Sequence, residues 1–441
     1  MESKKLFHEY LRYITLNICG MIGLSCYILA DTYFIAKSLG ANGLAALNLA
    51  IPVYSFIHGS GLMLGMGAAT KYTIFQGQKK QEYADKTFSN VLCLTAIFAA
   101  VFVFMGIFFA GTLTTILGAD REIFSMTKTY LQILLIFAPA FLMNNVLLCF
   151  VRNDGNPRLS MAAMLIGSLA NIVLDYILIF PLRMGILGAV LATALAPTLS
   201  MCILSKHWIT KQNHFHIRRL QLSADLTKAT LSLGLPSLIT EFASGIVMIA
   251  FNFIILGLLG NIGVAAYGIV ANLSLVVISI YTGIAQGTQP ITSRAYGLGN
   301  RDEITKILRY ATVTIALMSL FIYVLSVINN GFIVGIFNNA QDAYLQRIAE
   351  SGLILYFTAI PFVGFNIVLS THFTSIEKAL PAQALSLTRG LFLIVPIAFT
   401  LAYFFGMTGV WLSYPLTECI VSILGVILYQ KFAKSSMRQP S

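Results

Sequence analysis

Of the seventeen acidic residues in this chain, four fall inside long apolar runs: Asp31, Asp175, Glu241 and Glu418. The stretch NIVLDYILIF, residues 171–180, poses the question sharply. An ionised carboxylate at bilayer depth costs roughly 2.5–3.5 kcal/mol even on a lenient insertion scale, so it needs a partner, water or a proton. Asp31 lies about seven residues from the outer end of the first apolar run and Asp175 about six from the outer end of the fifth; at the helical rise, both sit on the order of 10 Å below that edge. Tyr27 and Asn171 each precede an aspartate by four residues, a spacing that sets each pair on one helix face. Thr193, about seven residues into the sixth run, reaches the same level on a helix descending from that side. Five oxygen-bearing side chains from three helices thus converge on one layer. Two neighbouring carboxylates in a low dielectric do not both stay ionised cheaply, and the chemistry open to them is uptake of a proton or a hard monovalent cation such as sodium. The rival reading makes them hydrogen-bonded packing groups. An acid needed only for packing would recur in the second half of the chain, which has Phe251 or Asn252 near the place of Asp31 and no acid in its eleventh apolar run.

The other two buried acids read differently. Glu241 lies about midway across the seventh run, where it either faces a central cavity and attracts cationic substrate or pairs locally. Glu418 has an opposite in Arg389, at a depth an arginine side chain can span, and the pair reads as structural. The six cysteines form no CxxC pair, no histidine stands at ligand spacing, and no HExxH or GxSxG motif occurs, so the sequence points to no metal, no cofactor and no catalytic centre. His214 and His216 read as solvated loop residues.

The elements that must position these groups follow from composition. The chain has 441 residues, 57% hydrophobic and 10% charged, and a mean hydropathy of +0.81. That is an integral membrane protein built of helical spans, not of ten-residue barrel strands. Twelve apolar runs are expected over 12–37, 44–70, 87–111, 123–150, 157–181, 186–209, 229–258, 263–293, 305–330, 344–373, 381–404 and 408–431. The segment behind the charged head MESKKLF is too long for a signal-peptide core and reads as a retained first helix. A formal net charge of +11 raises the question of nucleic acid, which the distribution of charge answers. Only Lys37, Arg121, Lys128, Arg183 and Arg347 fall in the turns opposite the termini. Every other basic residue except Arg389 falls on the terminal side, Arg152, Arg219, Lys434 and Arg438 included. This bias places both termini in the cytoplasm of a multi-pass inner-membrane protein, and no nucleic-acid partner is needed.

Sliding the chain against itself by about 220 residues lays LGANGLAAL (39–47) on LGNIGVAAY (259–267). Gly67 then meets Gly287 and Gly77 meets Gly297; with a drift of a few residues, Pro139 pairs with Pro361, Asn144 with Asn366, Pro157 with Pro381, and GILG (185–188) with GMTG (406–409). The expected organisation is an N-lobe over 1–209, a cytoplasmic linker over 210–228 with no other duty, and a C-lobe over 229–441. Six spans per lobe make the repeats parallel, with the substrate path between them.

The segment ADTYFIAKSLGANGLAALNLAIPV, followed by GQKKQEYAD and repeated as GLGNRDEITK, resembles the signature of the MATE (multidrug and toxic compound extrusion) transporters. NIVLDYILIF and GILGAVLATALA resemble that family's fifth- and sixth-helix motifs. The resemblance spans the whole chain. It implies an all-α membrane protein of twelve helices in two parallel-repeat six-helix lobes arranged as a V, and an antiporter exporting amphipathic, often cationic, compounds against inward proton or sodium flow. It also implies a single chain as the working unit and places the cation site on Tyr27, Asp31, Asn171, Asp175 and Thr193. The early proline of many relatives' first helix is absent from YITLNICG, and the tenth run has no acid at its core. A flippase for a lipid-linked precursor is the alternative; a lumen lined with arginines would mark it, and only Arg389 lies deep in a run.

Overall fold

The computed structural model describes residues 2–218, 220, 222–338 and 341–436. Arg219 and Arg438 of the basic set lie outside the described residues, as does the Lys434 side chain. Among the described residues, eight helices are long and apolar enough to cross a membrane, and the bent pair Phe124–Ile136 and Ala138–Asn153, inclined at 48°, makes a ninth crossing. Three of the long helices are each divided by a glycine, Gly40, Gly260 or Gly406, at φ of 62°, 61° and 57°. Only glycine adopts such a backbone without a Cβ clash. Tyr27 and Tyr54, on either side of Gly40, are hydrogen-bonded to each other, and Phe251 and Tyr267 stack across Gly260. The glycines are therefore hairpin turns, and the bundle has twelve spans: α1 (2–39), α2 (41–77), α3 (Gln81–Phe108), α4 (the bent pair), α5 (Pro157–Ile179), α6 (Gly185–Leu204), α7 (224–259), α8 (261–297), α9 (Arg301–Ile328), α10 (Ala343–Ser375), α11 (379–405) and α12 (407–436).

The internal repeat is visible in the breaks as well as the spans. Gly40 and Gly260 turn α1 into α2 and α7 into α8; Gly185 and Gly406 turn α5 into α6 and α11 into α12. In the N-lobe α4 bends just before Pro139. In the C-lobe α10 passes through a 3-10 turn, Phe357–Ala359, just before Pro361. Proline lacks the N–H that would continue the ladder, so the paired prolines break the same span in each lobe. The two-lobe helical fold follows.

The lobes meet at the end that carries the chain termini, and glycine makes the contact. A Cβ on Gly67 of α2 would lie 2.0 Å from the Thr230 carbonyl oxygen of α7, and one on Gly234 of α7 would lie 1.8 Å from that of Met63. Gly77 abuts Gly297, its own repeat partner; each sits against the other's helix, Gly77 on Arg294 and Gly297 on Ile74. A residue that touches its own copy lies on the symmetry axis, so the repeats are related by a twofold axis running between α2 and α8. Small residues here let backbones approach closely where side chains would hold them apart. Polar pairs reinforce the seam: Lys71 bridges to Glu377, Arg294 forks onto Glu9 at 2.8 and 2.9 Å, and Gln289 joins Asn153 and Thr70 at 2.9 and 3.1 Å. Among the described residues, no hydrogen bond or ion pair crosses between the lobes on the far side of Ser25 and Ser279, which are paired with each other.

The segment between lobes does more than connect. Its helix α7 starts at Ala224, capped by Ser223, earlier than the 229 expected. Phe215 is completely buried among Tyr72, Phe88, Phe150 and Trp208. Beside it Asp154 receives Tyr72 Oη at 2.6 Å, pairs with buried His207 Nε2 at 2.8 Å and takes the backbone N–H of His214 at 2.8 Å. Burial pushes the Asp154 carboxyl up, but the bonds from His207, Tyr72 and the His214 backbone outweigh it and hold the group below the usual carboxylate range. His214 and His216 keep exposed side chains, 70% and 61%, yet both are tied to aspartates. They are strap residues rather than free ones.

Two outcomes follow. Gly67→Ala should lower the unfolding temperature in detergent by an amount equivalent to about 1–3 kcal/mol, as overpacking does, whereas Gly257→Ala, with open space around it, should leave it unchanged. Asp154→Ala should cost about 1–3 kcal/mol by stranding His207 and the linker. Because its pKa is depressed in the folded chain, the Asp154 contribution is present above the ordinary carboxylate pKa and is lost as pH falls through the lowered one. The gap between wild type and variant should thus be constant near neutrality and close only in acid.

Candidate functional site

A cavity of about 420 Å³ lies between the lobes, above the glycine seam. Its wall is mostly apolar surface, from Met, Leu, Ile and Ala positions of both lobes, dotted with serine and threonine hydroxyls and a few charged groups. This is the composition of a site that holds an amphipathic guest and fixes it by few contacts.

Behind the N-lobe wall lies the acidic pocket. Asp31 is 7% exposed, Asp175 and Asn171 are completely buried, and Thr193 is 5% exposed. Asp31 stands nine residues before Gly40 and Thr193 eight after Gly185, about 12–14 Å below those turns at the helical rise; Asp175 lies one helical turn before the end of α5 at Ile179, and Asn171, one turn deeper, reaches the Thr193 backbone. With its amide nitrogen facing Asp175, Asn171 donates to Oδ2 at 3.1 Å and accepts from the Thr193 backbone N–H at 3.2 Å. The two aspartates are close enough for their charges to interact. One oxygen of each, Asp31 Oδ1 and Asp175 Oδ1, is buried without a hydrogen-bond partner. Buried polar atoms are normally satisfied, so a pair of orphaned carboxylate oxygens leaves this pocket undercompensated.

Tyr27 is placed differently from the other four. Its hydroxyl bonds to Tyr54 at 2.7 Å, and Tyr27, Tyr54 and Thr193 all line the cavity, which the aspartates do not. These side chains are the partition between pocket and cavity. Sequence reasoning missed Tyr54 and also Tyr130 of α4, 3% exposed, which lies beside Thr193 and within the field of both carboxylates. The signal for Tyr54 was available: it stands fourteen residues after Gly40 and Tyr27 thirteen before it.

Glu241 lines the cavity and is packed over Gly59 of the opposite lobe; its carboxylate has no partner among the described residues. Arg389 and Glu418 do pair, Nε and Nη2 reaching Oε1 at 3.1 and 2.9 Å. Asn366 donates to Oε2 at 2.7 Å, and Ser422 supports Asn366 at 3.0 Å. Arg389 projects from a π-helical turn, Thr388–Phe392, in α11, a distortion that re-aims a side chain and often marks functional positions. The pair also lines the cavity. One expectation is corrected: Arg389 is not the sole deep arginine. Arg152, assigned to a turn, is in the last turn of α4 and 1% exposed, because the lobes close over it. His58 stacks on Tyr54, meets Asn145 at 3.2 Å and faces the cavity. Among the described residues no cluster of three or more His, Cys, Asp or Glu could hold a metal.

Two repeated six-helix lobes enclosing an amphipathic cavity beside a buried, undercompensated acidic pocket define a membrane transporter. The MatE family model matches residues 17–177 and 236–400, and the chain belongs to that family. It is 22% identical over 431 residues to the multidrug export protein MepA of Staphylococcus saprophyticus, covering 97% of this chain and 94% of that one. MepA of Staphylococcus aureus strain MRSA252 gives the same identity and coverage. An outward-facing multidrug resistance MATE transporter of the MOP superfamily superposes with a TM-score of 0.92 at 24% identity, over 98% of this chain and 96% of the other. A MOP superfamily transporter from Pyrococcus furiosus, described as having a binding pocket of reverse polarity, gives 0.90 at 24% identity, with the same coverage. These structural likenesses show the fold.

Glu418→Ala should destabilise the protein by about 3–5 kcal/mol by stranding a buried guanidinium, while Arg389→Met with Glu418→Leu should recover most of that loss; thermal unfolding in detergent measures both.

Proposed function

We propose that this transporter is a secondary antiporter of the cytoplasmic membrane, with both termini in the cytoplasm, that exports amphipathic, often cationic, compounds in exchange for inward protons or sodium. The observation that carries the reading is the pair of orphaned oxygens on Asp31 and Asp175, one side chain away from the cavity. Proton or sodium entering from outside occupies the pocket, neutralises the two acids and favours the state that releases substrate outward. Asn171, Thr193 and Tyr27 hold the pocket's geometry, and Glu241, free on the cavity wall, attracts the cationic part of the substrate. Each inward elementary charge brings about 2.3 kcal/mol per 100 mV of membrane potential, and only a difference in cation affinity between the two lobe arrangements couples it to substrate. The positive bias of the terminal side supports the orientation. MepA, named a multidrug export protein, supports the substrate class. One chain encloses the whole cavity, which supports a monomer as the working unit. The flippase reading has weaker support: two arginines face the cavity, and Glu418 neutralises one of them.

The test is efflux of a fluorescent amphipathic cation from everted vesicles under imposed pH and sodium gradients, applied separately. Asp31→Asn and Asp175→Asn should each abolish gradient-driven efflux while the purified variants keep their unfolding temperature. Undiminished transport by either variant would refute the assignment.

A further inference from the structure

Arg152 takes no part in the acidic pocket, yet its guanidinium is as buried as any group in the lobe seam. Nη1 donates to Asn17 Oδ1 at 3.0 Å and Gln286 Oε1 at 2.7 Å. Nη2 has only sulfur for company, Met66 Sδ at 3.3 Å and Cys149 Sγ at 3.5 Å. The Nε–H is buried with no acceptor, and no ion pair to Arg152 occurs among the described residues. Arginine does not shed its proton in proteins, so the charge stays. Its place in the last turn of α4 gives it the favourable end of a helix dipole, but two neutral amide oxygens and a dipole are not a counter-ion.

The partners divide by lobe. Asn17, Met66 and Cys149 belong to the N-lobe with Arg152, and Gln286 belongs to α8 of the C-lobe. When the lobes part at the terminal end, Gln286 leaves and water reaches the guanidinium from that side as well as from the cavity it borders, so the burial of this cation is deepest while that end is closed. Asn17 and Asp31 also share one rod: α1 has no proline and no non-helical residue between them, and fourteen residues span about 21 Å. A shift of α1 at the acids is therefore delivered to Asn17.

We infer that Arg152 is a positioning residue for transport: its incompletely compensated charge raises the energy of the arrangement closed at the terminal end and returns the carrier to the one open there. The inference rests on the two lobe arrangements proposed above. Lys71 and Glu377, in contact across the seam, supply a native reporter, because a carbodiimide condenses a lysine with a touching carboxylate only while the seam is shut. The experiment is timed carbodiimide treatment of the full chain in nanodiscs, with the Lys71–Glu377 linkage quantified by peptide mass spectrometry against the Glu82–Lys86 pair within α3 as a fold control. Arg152→Met should raise the closed-to-open ratio about tenfold, toward the low end of what replacing a buried charge by an apolar isostere releases, and should lower maximal efflux more than it changes KM. Gln286→Ala should move the linkage the opposite way, since it worsens the burial, and it leaves the N-lobe untouched if Arg152→Met folds poorly. Arg152→Lys, which retains the charge, should stay nearer wild type than Arg152→Met. Unchanged or reduced linkage in Arg152→Met, or increased linkage in Gln286→Ala, overturns the inference. Because the linkage is read without transport, its failure is distinct from loss of cation coupling at Asp31 and Asp175.

Discussion

Backbone resting on backbone at Gly67, Gly234, Gly77 and Gly297 is the contact on which the rest of this molecule depends. In a bilayer there is no hydrophobic force to draw helices together, and close approach must supply dispersion contacts instead. By concentrating that approach at the end bearing the termini, the chain closes one side of the bundle and leaves a cavity above the seam. The twofold relation sets Gly67 opposite α7 and its copy Gly287 against Ile14 of α1, so both lobes contribute glycine to the closure. Packed interfaces of this kind have discrete arrangements rather than a continuum, which is what a rocking mechanism needs.

The lobes are alike in backbone and unlike in charge. In the C-lobe, Arg389 stands permanently beside Glu418, and Asn366 and Ser422 complete the acid's hydrogen bonds. In the N-lobe, two acids share a pocket with an amide, a hydroxyl and phenols, and among the described residues no basic side chain pairs with them. One lobe carries its positive charge as part of the protein; in the other the acids keep two oxygens without a partner. That asymmetry is laid over a symmetric scaffold and is the respect in which the lobes differ most.

Much of this was legible in the sequence. The twelve spans, the repeat, the paired prolines and the nearness of Asp31, Asp175, Asn171 and Thr193 all rest on one-dimensional rules of length, period and rise, and a helix obeys those whatever its neighbours do. The Arg389–Glu418 pair was also readable, since two opposite charges in apolar runs have few other choices. The burial of Arg152 was not, because a residue in a helix's last turn looks solvated until another lobe is laid over it. Phe215 was hidden for the same reason: within a polar linker nothing announces that one aromatic ring fills a nest formed by α2, α3 and α4. Tyr54 and Tyr130 were lost among many aromatic residues, most of which face lipid, and only the hairpin at Gly40 selects the first of them.

The partition between pocket and cavity is a single layer of side chains, Tyr27 against Tyr54 with Thr193 beside them. Pocket and cavity are therefore neighbouring rooms with one thin wall in common, and that wall is held by a phenol-to-phenol bond rather than by backbone. Whatever displaces Tyr54 on the cavity side breaks the same bond that orders Tyr27 on the other, so the two spaces cannot be reshaped independently.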